Sequence, residues 1–179
     1  MNNKKREALN LVLRYFILLL IAIPGIKIFY FLFTNLTIYP VFYLVQIYSK
    51  ATLNGNLITL SNNISLEIVG ACIAGSAYLL LTILNLSTPN IKIKKRILML
   101  AISYFIFLIF NIIRIVFLGY LVFIGSAYFD IIHSVLWYGI STIFVVTLWF
   151  VLIFYFKIES IPVYSDLKFL YQSSSLYKK

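Results

Sequence analysis

A chain of 179 residues that is 63% hydrophobic, 18% aromatic and only 11% charged carries more apolar surface than a water-soluble domain of its size can bury, since such domains run about 45–50% apolar and about 25% charged. A single cysteine excludes an internal disulfide, and the composition equally excludes a disordered chain. The net charge of +10, from 15 Lys+Arg against 5 Asp+Glu, then reads as the positively charged cytoplasmic loops of an integral membrane protein rather than as a nucleic-acid footprint.

A bilayer core of roughly 30 Å takes about 20 apolar residues as a helix. The first such run is Leu11–Phe33, where Pro24-Gly25 predicts a kink and Lys27 interrupts the apolar sequence. It is longer than a signal-peptide core and no small-x-small cleavage site follows, so it is expected to remain as a span. Leu36–Tyr48, with Pro40 and Gln46, is too short to cross comfortably and reads as interfacial or re-entrant. Dividing the same region into Leu11–Ile23 and Ile26–Tyr48 would instead give a fifth span. Between Thr52 and Ser65 the composition turns to Asn, Gly, Thr and Ser. Leu53, Leu57, Ile58, Leu60 and Ile64 around Asn54-Gly55-Asn56 predict a small hairpin or structured loop, which must lie in water or at the interface. Leu66–Leu86, Ile97–Ile124 and Ile131–Phe156 are three further spans, too long and too rich in small residues for barrel strands. Lys157–Lys179 is a polar tail. The expected fold is an all-α integral membrane helical bundle of four transmembrane helices plus one re-entrant or fifth helix, with a small extracytoplasmic hairpin, forming one domain over residues 1–179.

Charge fixes the orientation. Lys4, Lys5, Arg6 and Arg14 open the first run, Lys92, Lys94, Lys95 and Arg96 follow Leu86, and Lys157, Lys168, Lys178 and Lys179 follow the last run. Four spans put these twelve of the 15 cations on one side, which the positive-inside rule makes cytoplasmic, with both termini.

Three polar groups within the spans call for an explanation. Cys72 is expected about six residues into its helix, Arg114 about ten residues below the outer end of the next, and His133 near the start of the last. At about 1.5 Å per residue their backbones lie roughly 9, 15 and 5 Å below the outer boundary. Because arginine reaches and snorkels, the three functional groups can meet at one depth. Each has a plainer role too: Cys72 as small core filler, His133 as an interfacial imidazole bonded to backbone, Arg114 as a partner of Glu67 or Asp130. An arginine at mid-helix nevertheless costs at least ~2.5 kcal/mol to insert, which makes it a functional residue by default. Asn111, three residues earlier on the same face, can hold the guanidinium. Asp130 suits a cap or first-turn acid of the last helix. Gly70, Ala71, Ala74, Gly75 and Ala77 permit close helix packing.

A thiol becomes a strong nucleophile only as thiolate. An imidazole can take its proton, and a fixed cation can stabilise the thiolate or the oxyanion formed when it attacks a peptide carbonyl. The imidazole can then protonate the leaving amine, leaving a thioester.

Cysteine, then Asn-x-x-Arg, then histidine on three successive membrane helices resembles the exosortase/archaeosortase family of multi-pass membrane cysteine transpeptidases. The resemblance covers about residues 56–139, the implied catalytic core, and the chain would be a minimal-length member. It implies Cys72 as nucleophile with Arg114 and His133 as catalytic partners, and exported substrates with a C-terminal motif, a transmembrane helix and a basic tail. These would be cut near the outer face and passed to a cell-surface acceptor such as a membrane lipid. Where bacterial members usually have serine or threonine and then glycine after the cysteine, this chain has Ile73-Ala74-Gly75.

Two rivals stand beside this expectation. One is a serine protease built on Ser76 and His133, although a mid-helix serine usually bonds its own backbone. The other is a non-enzymatic channel, transporter subunit or assembly factor in which Arg114 is a structural or pathway charge. One His and one Cys with Glu67 and Asp130 make a poor ligand set, so no metal is expected. No phosphate loop, dinucleotide fingerprint or haem motif is present, so no cofactor is expected. Trp137 and Tyr138, one turn after His133, are expected to pack at the interface or line a substrate groove.

Overall fold

The computed structural model describes residues 3–88 and 91–158. The polar tail from residue 159 onward, with Lys168, Lys178 and Lys179, lies outside the described residues. Helix α1 runs 43 residues, Asn3–Val45, unbroken at Pro24 and Pro40. The stretch expected to be interfacial or re-entrant is therefore the end of a single long helix, and the chain does not turn back at Pro24-Gly25. The reason is packing. Phe29, Phe33, Thr37, Val41 and Val45 recur every fourth residue and are all buried, which locks one face of α1 against the bundle. Proline is tolerated in a membrane helix whose neighbours supply the missing contacts. The first candidate span accordingly moves along the chain from Leu11–Phe33 to Pro24–Val45.

A three-stranded antiparallel sheet follows: β1 (Ala51–Asn54), β2 (Leu57–Leu60) and β3 (Ser65–Glu67), in that order. Asn54 pairs with Leu57, which leaves Gly55-Asn56 as the two-residue turn. Gly55 takes φ +63°, the conformation that such a turn demands and that glycine adopts freely. The expected hairpin is thus present, and β3 is an addition. The sequence places Ser65 at the end of the polar loop and Leu66-Glu67 at the start of the following span, because a short apolar run does not distinguish strand from helix. Here Ser65-Leu66-Glu67 alternates exposed, half-buried, exposed and pairs with β2.

The span that follows β3 is short and broken. Helix α2 covers Gly70–Ile73, Ala74 stands in the left-handed region at φ +57°, and α3 covers Gly75–Ser87. Helix α4 (Ile93–Phe123) has 31 residues, about 46 Å of rise. After the turn at Gly125 come α5 (Phe129–Ser134), a π-helical segment at Val135–Ile140, and α6 (Ser141–Tyr155), which together make the last span. Four candidate spans, Pro24–Val45, Gly70–Ser87, Ile93–Phe123 and Phe129–Tyr155, thus occur among the described residues, and the protein is a multi-pass membrane protein.

The two ends of the bundle differ in chemistry. At one end Arg96 donates to the carbonyls of Asn85 and Thr88, and Lys95 to that of Phe156. These cations satisfy backbone acceptors left free where α3 and α6 finish. The sheet sits at the other end, where Tyr48 and Leu66 reach Gly119 near the end of α4. Midway, Phe33 stacks on Tyr78 at 3.7 Å between ring centroids, and Tyr104 meets both edge-on.

Helices α1 and α3 pack closely at Gly75. A Cβ there would lie 2.8 Å from the Tyr30 ring and 3.3 Å from the Ile26 carbonyl oxygen. Gly139 has nothing within 4 Å of the same position. Gly75→Ala should lower stability by about 1–3 kcal/mol through overpacking, measured as detergent-solubilised thermal unfolding, while Gly139→Ala should not destabilise.

Candidate active site

The site begins with the helix break. With Ala74 left-handed, the chain cannot form regular bonds across the α2–α3 junction, and Ala77 donates back to Ala74 in a tighter turn. The carbonyls of Cys72 and Ile73 then need other donors, because water cannot supply them in a bilayer. Asn111 supplies them from α4: its Nδ2 donates to Cys72 O at 2.8 Å and to Ile73 O at 3.5 Å. Arg114 Nη2 adds a longer contact to Cys72 O, 3.5 Å. Asn111 was expected to hold the guanidinium; it holds the cysteine's backbone instead, and both side chains converge on one carbonyl. Cys72 is consequently the third residue of a four-residue helix, not six residues into a long one.

Arg114 is 7% exposed and Asn111 fully buried. The guanidinium has no bond to Glu67 or Asp130. Its Nη1 donates to Ser141 Oγ at 2.7 Å, and its centre lies 5.9 Å from the Trp137 ring centroid, within cation–π range. Trp137 in turn meets His133 edge-to-face at 5.7 Å, and His133 stacks on Phe129 at 5.5 Å. The last span thus presents His133, Trp137 and Ser141 in sequence along the Arg114 face of the bundle.

Cys72, Arg114 and His133 line one cavity of about 270 Å³. Its remaining walls come from β3 and its continuation (Ser65–Ile68), the far half of α4 (Ile115, Leu118, Gly119, Val122), Phe129 and Trp137. Glu67 is therefore at the cavity, whereas Asp130 stays exposed in the first turn of α5 with no capping bond. A second cavity of about 230 Å³ lies beside Ala71, Ala74, Ser76, Ala77 and Thr142. Arg114 and Trp137 line both cavities. Ser76 and His133, the pair of the serine-protease rival, line different ones. No cluster of three or more metal-ligating side chains occurs among the described residues.

The contact that sequence reasoning missed is Ser141. The one trace of it is the polar interruption Gly139-Ile140-Ser141-Thr142 inside an otherwise apolar run.

Height follows from the helix. Between Arg96 and Arg114, α4 rises about 27 Å, so the cavity sits nearly one hydrocarbon thickness from the basic turn. Replacing Asn111 by Leu strands the Ile73 carbonyl and leaves that of Cys72 only the longer Arg114 contact. Asn111→Leu should cost about 1–3 kcal/mol of stability, whereas Asp130→Asn should stay within about 0.3–1 kcal/mol, both read by thermal unfolding in detergent.

No curated protein and no solved structure shows significant similarity to the chain. The family model described as Transmembrane exosortase (Exosortase_EpsH) matches residues 4–156, which takes in every described span and the whole cavity. The chain belongs to the transmembrane exosortase family, membrane-embedded sorting transpeptidases whose substrates are proteins carrying sorting signals.

Proposed function

We propose that this protein is a cysteine transpeptidase in which Cys72 is the nucleophile, His133 the general acid–base and Arg114 the oxyanion partner. The single observation carrying this reading is that a thiol, a guanidinium and an imidazole from three separate helices line one cavity. His133 takes the Cys72 thiol proton, and the sulfur attacks the carbonyl carbon of the substrate's scissile peptide. Arg114 faces the negative charge that develops on the carbonyl oxygen. Collapse breaks the C–N bond, and His133 gives its proton to the departing amine. The product is a thioester on Cys72. An acceptor amine or hydroxyl, or water, then attacks it, loses its own proton to His133 and regenerates the thiol. The partial burial of Cys72 and His133 limits competition from water and leaves both reachable from the cavity mouth.

The charge pattern supports an orientation. The basic turn at Lys92–Arg96 is cytoplasmic by the positive-inside rule, which puts both termini on that side and the cavity and sheet on the extracytoplasmic face. The substrate is an exported protein whose C-terminal motif reaches the cavity from that face while its apolar helix stays in the bilayer. The acceptor is a lipid or another cell-surface nucleophile. The hairpin serves as a recognition element: Asn56 Nδ2 contacts Glu67 Oε1 and Ile68 O, each at 3.4 Å, and Ile68 N donates to Asn56 O at 2.9 Å. The turn is thereby tied to the strand that walls the cavity.

Cys72→Ala and His133→Ala should reduce processing of a sorting-signal substrate in membranes by more than about 1000-fold, and thiol alkylation of Cys72 should do the same. Ser76→Ala should leave processing intact. Full processing after complete Cys72 alkylation would exclude the cysteine mechanism and favour a structural role for Arg114, while loss in Ser76→Ala alone would favour the serine rival. Deleting the hairpin tip, Asn54–Asn56, should impair processing without impairing membrane insertion; an insertion-competent, fully active deletion would remove the hairpin from substrate recognition.

A further inference from the structure

The guanidinium of Arg114 can only donate hydrogen bonds, in a fixed planar fork. It is buried in an apolar bundle, so whatever accepts from it sets where it points. One acceptor is a backbone carbonyl at the long distance of 3.5 Å. The short contact is Ser141 Oγ at 2.7 Å, and that hydroxyl has a determined direction. Arg114 occupies one of its lone pairs, so its single proton goes elsewhere, and it donates to Leu136 O at 2.6 Å.

This geometry depends on the π-helical segment Val135–Ile140. The backbone N–H of Ser141 also donates to Leu136 O, five residues back, as a π turn requires. In an α-helix the N–H would go to the residue four back, and a serine hydroxyl would fold onto the carbonyl three or four back. Here one carbonyl accepts both the N–H and the O–H of Ser141, which fixes the hydroxyl with its remaining lone pairs turned to α4. Serine at this position is thus a fixed acceptor inside a span that otherwise offers Arg114 only an aromatic face.

We infer that Ser141 is a positioning residue: through the Leu136 carbonyl it holds the Arg114 guanidinium between the Trp137 ring and the Cys72 carbonyl, aimed at the reacting centre. The inference rests on the reading of Cys72 and Arg114 as catalytic partners. Removing the hydroxyl leaves the Leu136 carbonyl still bonded by the Ser141 N–H, so the π segment keeps its backbone pairing. What is lost is the guanidinium's close acceptor. A displacement on the order of 1 Å at a catalytic group costs roughly 100-fold in rate, and the loss falls on the chemical step rather than on substrate binding.

The test compares Ser141→Thr with Ser141→Val, which have nearly the same shape and differ in the hydroxyl. Each is made in full-length protein in membranes, and again in a Trp149→Phe background in which Trp137 is the single tryptophan. Ser141→Thr should keep kcat within about threefold of the parent, and Ser141→Val should lower it about 10- to 100-fold with little change in KM. Trp137 emission should shift in Ser141→Val, as the guanidinium leaves the ring, and not in Ser141→Thr. The positioning role is overturned if the two variants share the same kcat, or if their emission spectra coincide. Unimpaired processing by Cys72→Ala would instead overturn the cysteine mechanism, and the emission comparison would still report whether Ser141 holds Arg114.

Discussion

A backbone carbonyl inside a bilayer must find a donor, and the break at Ala74 exposes two that have lost theirs. The architecture around Cys72 follows from that requirement. Asn111 is fully buried because it supplies the donor from a neighbouring helix, and α4 is held in register with α2 by that amide. Arg114, one turn further on, inherits a position beside the same carbonyl. A helix broken two residues after its cysteine would be a liability in isolation. Packed against an Asn-x-x-Arg helix it becomes a way to hold a thiol at a defined place without burying it completely.

The remainder of the site follows from the same pairing. Once Arg114 is placed in an apolar region it requires acceptors and a face to lie against. The last span supplies both by departing from regular helix: its wide turn carries Trp137 to the guanidinium and sets the Ser141 hydroxyl next to it. Two departures from α-helical geometry, a left-handed alanine on one span and a π segment on another, thus meet across the unbroken helix that bears the charge. The sheet completes the enclosure, since β3 leads directly into the cysteine helix and walls the cavity on its way.

The sequence revealed the class of fold through composition and run length, and the hairpin through Asn-Gly within alternating apolar residues. It also singled out the three side chains that share the cavity, because a thiol, a guanidinium and an imidazole are expensive in lipid and so stand out there. What it hid were features decided by packing. The continuity of α1 past Pro40 depends on a buried stripe whose partners are distant in sequence. Strand β3 depends on pairing with β2, which overrides an apolar run equally suited to helix. The break at Ala74 is masked by its own residue type, since alanine is the best helix former, and only Gly75 beside it weakens the helix locally. Ser141 looked like one more small residue in a membrane helix until a π turn gave its hydroxyl a direction.

The disparity in length between neighbouring spans has a consequence for the lipid itself. The span bearing Cys72 has 18 residues against 31 for α4, roughly 27 Å against 46 Å. A span shorter than the hydrocarbon core is accommodated by thinning of the lipid beside it, by flanking residues that reach for the interface, or by association with another copy. Cys72 is the third residue of that short span, so any such adjustment falls on the flank of the bundle that carries the thiol.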